Sequence, residues 1–203
     1  ALKVASAPFS NDLTPSWQIL RRVSEIRPIH GVLEITGEQV GASAGAVPIF
    51  GNDWNYYAAN AAAKRGESAK ALKLFAAVKP TDRHFLASKY QQAMLLVESE
   101  RLDDAESALV SVISAKDDKV DGLDAEQRTA LTDYARLALG RIYYERQKFG
   151  LAITMYRGVS RGGRSFYDAL FEQSWALFMG GYPSHALGAL HLSLIHISEP
   201  TRP

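Results

Sequence analysis

The residues best typed for chemistry lie in a short glycine-rich run. Gly41-Ala42-Ser43-Ala44-Gly45 spells G-x-S-x-G, the spacing at which a serine sits on a sharp strand-to-helix turn with its hydroxyl bared for nucleophilic attack. That turn needs a strand before it and a helix after it. Glu34–Val40 holds Gly37, Glu38 and Gln39, a poor buried strand, and Pro48 stands where the helix would have to continue. A flexible small-residue loop is therefore expected, with no catalytic role for Ser43. A second acidic run, Asp117 to Asp124, looks suited to calcium. A calcium loop opening at Asp117 would want an oxygen ligand at 119 and a glutamate at 128, and the chain offers Lys119 and Arg128. The natural reading is a solvated loop. His30, His84, His185 and His191 are scattered, with no pair spaced to share a metal on one helix face; surface or packing roles are expected. Arg157, Arg161 and Arg164 gather around Gly162-Gly163, a solvated turn that would suit an acidic partner as the alternative. There is no cysteine, which removes disulfides, thiol nucleophiles, zinc knuckles and iron–sulfur clusters. No enzyme activity, metal or cofactor is expected.

The elements that would position any such site follow from composition and period. The chain has 203 residues, 47% of them apolar and 22% charged, with a net charge of +1. That is a foldable composition for one ordinary domain or a short array of repeats. The balanced charge gives no global attraction to nucleic acid or anionic lipid. No apolar run approaches the ~18 residues of a membrane span. The first residue is Ala and no signal-like start follows, so an internal fragment or processed chain is expected.

Four segments align on small residues. Ala71, Ala105, Ala152 and Ala186 are separated by 34, 47 and 34 residues, a period of 34 with one insertion. Twelve residues before each alanine stand Ala59, Ala93, Gly140 and Ser174, all small. Four residues after it stand Phe75, Leu109, Tyr156 and Leu190, all large. Gly66, Glu100, Gln147 and Gly181 occupy the intervening turn, and Val78, Val112 and Val159 follow at the far end. Small residues at two positions let paired helices approach closely, and the large residue fills the space between them. A helix pair cannot bury its apolar face alone, so neighbours must stack. The expected helices are 53–64, 68–78, 82–98, 102–115, 124–146, 148–158, 166–180 and 183–191. Thr81 is the expected N-cap of the third. Asp124 with Gln127 forms a capping box, and Pro183 falls in a first helical turn, where its missing N–H costs little. Residues 1–52 differ: a helix from Pro15 to Ile26, then a glycine-rich connection with a short strand at Val32–Ile35 that covers the first repeat.

This pattern resembles the tetratricopeptide repeat (TPR) family. The third copy, LGRIYYERQKFGLAITMY, is nearest to the family form L-G-x-x-Y…A-x-x-x-[FY]. The resemblance covers 53–191, as repeats at 53–80, 82–115, 124–160 and 166–191. It implies an all-α, right-handed superhelix of antiparallel helix pairs with about four repeats and a loop-rich N-terminal segment. It also implies a non-catalytic scaffold that binds a protein or peptide in a groove lined by the first helix of each pair. Carried over repeat by repeat, the groove residues are Tyr56, Asn60 and Ala63; Tyr90, Met94 and Val97; Tyr134, Leu137, Arg141 and Tyr144; and Asp168, Phe171, Trp175 and Phe178. Phe171, Trp175 and Phe178 could instead pack against a further repeat. The clamp with which some family members hold chaperone C-termini is not expected. Only Asn60 matches it, while Tyr56, Gln91, Tyr134 and Ala138 stand at its other positions. The wording GASAG also resembles patatin-like lipases, but their Asp-Gly-Gly or Asp-Gly-Ala partner is missing; Asp121-Gly122-Leu123 falls in the repeat insertion.

Two further readings concern the C-terminal part. ALFEQSWALFMGGYPSHALGALH resembles TPR proteins of bacterial envelopes, including gliding-motility types, which implies a periplasmic or envelope setting. The alternative function is an accessory helical domain of a larger envelope enzyme or of a secretion or motility assembly. Leu192 to Arg202 matches the translation of a transposase mosaic end and sequencing adapter. Residues 192–203 are therefore expected to be a non-native tail.

Overall fold

In a computed structural model, residues 51–115 and 123–198 are described, with side chains placed for 55–115 and 123–192. Ser43, the 15–26 helix, the 32–35 strand and Asp117–Asp121 lie outside the described residues. Those described form eight helices and no strand. In chain order they are α1 (Gly51–Lys64), α2 (Ser68–Ala76), α3 (Phe85–Glu98), α4 (Leu102–Ile113), α5 (Ala125–Glu145), α6 (Phe149–Arg157), α7 (Phe166–Met179) and α8 (Pro183–Ser198). The chain divides into two compact units, Ala1–Leu95 and Leu96–Pro203. In the first, α1 lies against α2. In the second, α4 lies against α5, α5 against α6, α6 against α7, and α7 against α8.

Four tight turns share one backbone geometry. Gly66, Glu100, Gln147 and Gly181 all take positive φ, at 77°, 58°, 59° and 85°. At each turn the next N–H reaches back five residues: Glu67 to the Ala62 carbonyl, Arg101 to Leu96, Lys148 to Tyr143 and Tyr182 to Leu177. Inside that bond, each left-handed residue donates to the carbonyl three residues before it. The pair of bonds satisfies carbonyls that a helix end would otherwise leave bare. The sequence alignment brings these four positions together although only two of them are glycine.

The cores follow the small-and-large pattern. In the first unit, Ala59, Ala62, Ala71, Phe75 and Leu95 form a buried cluster, with Tyr56 and Leu72 packed against it. In the second, Ala152 and Tyr156 of α6 are buried, Tyr156 against Gly140 of α5. A Cβ built on Gly140 would stand 2.5 Å from Tyr156 Cε1, so the glycine is what admits the ring. Polar ties fix α4 to α5: the Tyr143 hydroxyl donates to Glu106 Oε1 at 2.8 Å, and Arg146 reaches Glu106 at 3.0 Å and Asp103 at 2.7 Å.

Helix starts show one agreement and one correction. Asp124 and Gln127 form the expected capping box, with Gln127 N–H donating to Asp124 Oδ1 at 2.7 Å and Asp124 N–H to Gln127 Oε1 at 3.2 Å. Thr81 does not cap a helix at 82; α3 begins at Phe85. The Asp82 carboxylate instead accepts the Lys79 N–H at 2.6 Å, and its carbonyl accepts from Phe85, which holds 79–85 as a turn. The equivalent loop after Val159 solves the same problem differently. Ser160, which follows Val159 as Lys79 follows Val78, donates its N–H to Asp133 Oδ1 at 3.1 Å from α5. Gly163 stands where Asp82 stands, and a Cβ there would come within 3.0 Å of Asp133 Oδ2. The capping carboxylate has moved from the loop to the neighbouring helix. The last helix runs on through Ser198, past the expected end at 191.

Candidate partner-binding surface

The second unit gathers the polar and aromatic groups that a ligand could use. Each is set by helix periodicity: Arg141 and Tyr144 lie one turn apart on α5, and Phe171, Trp175 and Phe178 follow one face of α7. Between the helices, Arg141 Nε donates to both Glu172 oxygens, at 3.0 and 2.9 Å, while its Nη2 also meets Oε1. Glu172, contributed by α7, holds the guanidinium protonated beyond its ordinary range, ahead of the opposing effect of burial. Burial pushes the Tyr156 phenol well up, and the neighbouring Glu172 carboxylate adds to the shift. Arg141, Tyr144, Glu145, Tyr156, Glu172 and Trp175 enclose a cavity of about 430 Å3.

Beside this cavity runs an aromatic ladder. Phe171 and Trp175 meet edge to face with centroids 6.4 Å apart, and Trp175 and Phe178 do so at 6.5 Å. These rings keep 45%, 51% and 57% of their surface exposed. Their edges and faces are the geometry that aromatic and cationic side chains favour. Asp168 is exposed at the start of the same helix. Tyr144 sits half-buried with its ring edge on Phe149.

The remaining residues expected to line a groove fall elsewhere. Tyr134 is exposed, but it lines a separate cavity with Gly162, Gly163 and Ser165. Leu137 is buried. In the first unit, Tyr56 is half-buried, stacked on His84 with centroids 4.3 Å apart and tilted against Phe75. Burial raises its phenol pKa, against a hydrogen bond from Asn60. Asn60 also donates to the Tyr56 carbonyl at 2.8 Å. Ala63, Tyr90, Met94 and Val97 are half-buried. His84 is thus a packing residue, while His185 and His191 are exposed. Arg157, Arg161 and Arg164 are exposed around the 160–165 loop.

Sequence reasoning missed Glu172 and Tyr156 as walls of the cavity. The spacing of Tyr156 marks it only as core, and nothing local to Glu172 points to a partner 31 residues away. Among the described residues, no group of three His, Asp or Glu is placed to hold a metal ion, and no helix is long and apolar enough to cross a membrane.

Comparison of the sequence with protein-family models and with curated proteins gave no match. Among solved structures, the chain is similar to the crystal structure of BtubC (BKLC) from P. vanneervenii. The TM-score is 0.60 at 16% sequence identity, over 100% of this chain and 96% of that one. This is a likeness of fold alone.

Proposed function

We propose that this chain is a non-catalytic protein-interaction scaffold of the TPR type, a right-handed solenoid of about four repeats. It takes a peptide segment of a protein partner against the surface formed by α5 and α7. The observation that carries this reading is the exposed ladder Phe171–Trp175–Phe178 standing beside the Arg141–Glu172 pair. Exposed Trp and aromatic residues next to an Arg are the composition of interface anchors. The open cleft of about 430 Å3 has room for more than one side chain. Tyr144 and the Arg141–Glu172 pair supply hydrogen-bonding groups for the peptide backbone around it. The four left-handed turns in aligned positions support the repeat reading. So does the buried small-and-large pairing of Gly140 with Tyr156 and of Ala59 with Phe75.

The test is a selection of peptides on the folded chain from a displayed random library, followed by titration against Arg141→Ala, Trp175→Ala and Phe178→Ala. Trp175→Ala is expected to weaken binding by about tenfold or more, the loss typical of an aromatic anchor. Binding unchanged in all three variants would reject the surface. Labelling by a fluorophosphonate probe that disappears in Ser43→Ala would overturn the non-catalytic reading.

A further inference from the structure

One buried charge in the second unit is only half used. Asp133 is 1% exposed. Its Oδ1 accepts from the Ser160 N–H at 3.1 Å, from the Ser160 hydroxyl at 3.2 Å and from Arg136 Nη1 at 3.5 Å. Its Oδ2 is closed off from solvent and has no hydrogen-bond donor. A desolvated carboxylate oxygen without a donor is costly, and the capping of Ser160 accounts for Oδ1 alone. Helix packing does not ask for an acid at this position either. A step of 47 residues takes Asp133 back to Leu86, which is buried, and a step of 34 takes it on to Tyr167.

Asp133 lines a cavity of about 790 Å3 between the first turns of α5 and the 160–165 loop. Of the charged residues around it, Asp124, Glu126 and Asp133 are acidic and Arg164 is basic, so its field favours a cation. The first turn of α5, which would favour an anion, is answered by the Asp124 carboxylate of its own capping box. Gly163 stands against Oδ2: a Cβ built there would come within 3.0 Å of it. Ser165 lines the same cavity; it is buried, and its hydroxyl makes no capping bond to α7.

The chemistry of an occupant follows from the acceptors left over. A guanidinium fork takes both oxygens of a carboxylate, and Oδ1 is already committed. An ammonium is a compact charge with rotatable donors, which one carboxylate oxygen and a hydroxyl can serve. A chelated metal lacks ligands, since no group of three His, Asp or Glu among the described residues is placed to hold one.

We propose that this cavity binds a primary ammonium group, which enters beside Gly163 and donates to Asp133 Oδ2 and to the Ser165 hydroxyl. Gly163, held by its N–H bond to the Ser160 carbonyl at 3.0 Å, is the part of the loop that gives way. The cavity shares no residue with the Arg141 cleft, so this site and the peptide surface fail independently.

The probes are n-butylammonium chloride and the peptide acetyl-Gly-Lys-Gly-amide, each titrated at constant ionic strength into the isotope-labelled full chain. Both are expected to move the Ser160 and Gly163 amide resonances saturably. Asp133→Asn keeps an oxygen for the Ser160 N–H but puts an amide nitrogen in place of Oδ2, and should weaken binding by about tenfold or more. Ser165→Ala, which leaves that cap untouched, should weaken it severalfold. The same peptide with its lysine acetylated at Nζ should move neither resonance, a control that needs no variant to fold. The arginine peptide should bind more weakly. Tighter binding of the lysine peptide would assign the ammonium to a partner's side chain, and equal binding to a small free amine; both support the site. The proposal is overturned by resonances that never saturate, by equal binding of the acetylated or the arginine peptide, or by an affinity unchanged in Asp133→Asn or in Ser165→Ala.

Discussion

Gly140 and Tyr156 show how one absent methyl group decides a packing arrangement. In an exposed helix interior, alanine is favoured over glycine by about 1 kcal/mol. Here the added Cβ would meet the Tyr156 ring at 2.5 Å and 2.9 Å, and that ring is 4% exposed. Overpacking of this kind costs about 1–3 kcal/mol, so the clash wins. Gly140→Ala should lower stability by roughly 1–2 kcal/mol in urea unfolding, and Tyr156→Leu in the same chain should recover part of it. Gly140→Ala at or above parental stability would show that the ring moves aside freely. Asp133 makes a related point. Its carboxylate is buried and caps a loop on another element, a role its position in the middle of α5 does not announce.

At the scale of elements, the turns carry the clearest expectation. Left-handed backbone costs a residue with a Cβ about 1–2 kcal/mol, and glycine far less. Gln147 bears that cost at φ 59°, whereas Gly181 avoids it at φ 85°. A Cβ on Gly181 would touch nothing within 4 Å, so any effect there comes from the backbone alone. Gln147→Gly should raise stability by about 0.5–1 kcal/mol, and Gly181→Ala should lower it by a similar amount. Paired thermal melts check both signs, and Gln147→Gly that destabilises would contradict the shared turn geometry. Most helix boundaries were legible to within three residues because turns and caps act over three to five residues. The start of α3 came three residues late, because Asp82 bonds backward to Lys79 and draws 82–84 into the loop, and the end of α8 came seven residues beyond the expected one.

For the whole molecule, titration gives an expectation with a definite sign. Burial and the Glu172 carboxylate raise the Tyr156 pKa in the folded chain above its ordinary value of 10.0. Tyr143 is raised too, by burial first and then by its hydrogen bond to Glu106. The unfolded chain therefore loses these protons first. The stability these two phenols contribute is constant below about pH 10 and falls above it, with a limiting slope of about 1.4 kcal/mol per pH unit for each phenol still protonated in the fold. Tyr156→Phe should flatten that fall. Urea midpoints taken from pH 8 to 11 will show it, and a slope that survives Tyr156→Phe unchanged would assign the effect elsewhere.

The sequence by itself determined that the described chain is helical, where its tight turns lie, and which small and large residues pair within a helix hairpin. Those features depend on hydrogen bonds and steric contacts between near neighbours, and the period of 34 repeats them. Tertiary structure alone decided that Arg141 is paired with Glu172, that Leu137 is buried while its counterpart Phe171 is bare, and that Tyr56 stacks on His84. Exposure and pairing depend on which helix lies alongside, and residues at equivalent positions in successive helix pairs do not share the same neighbours.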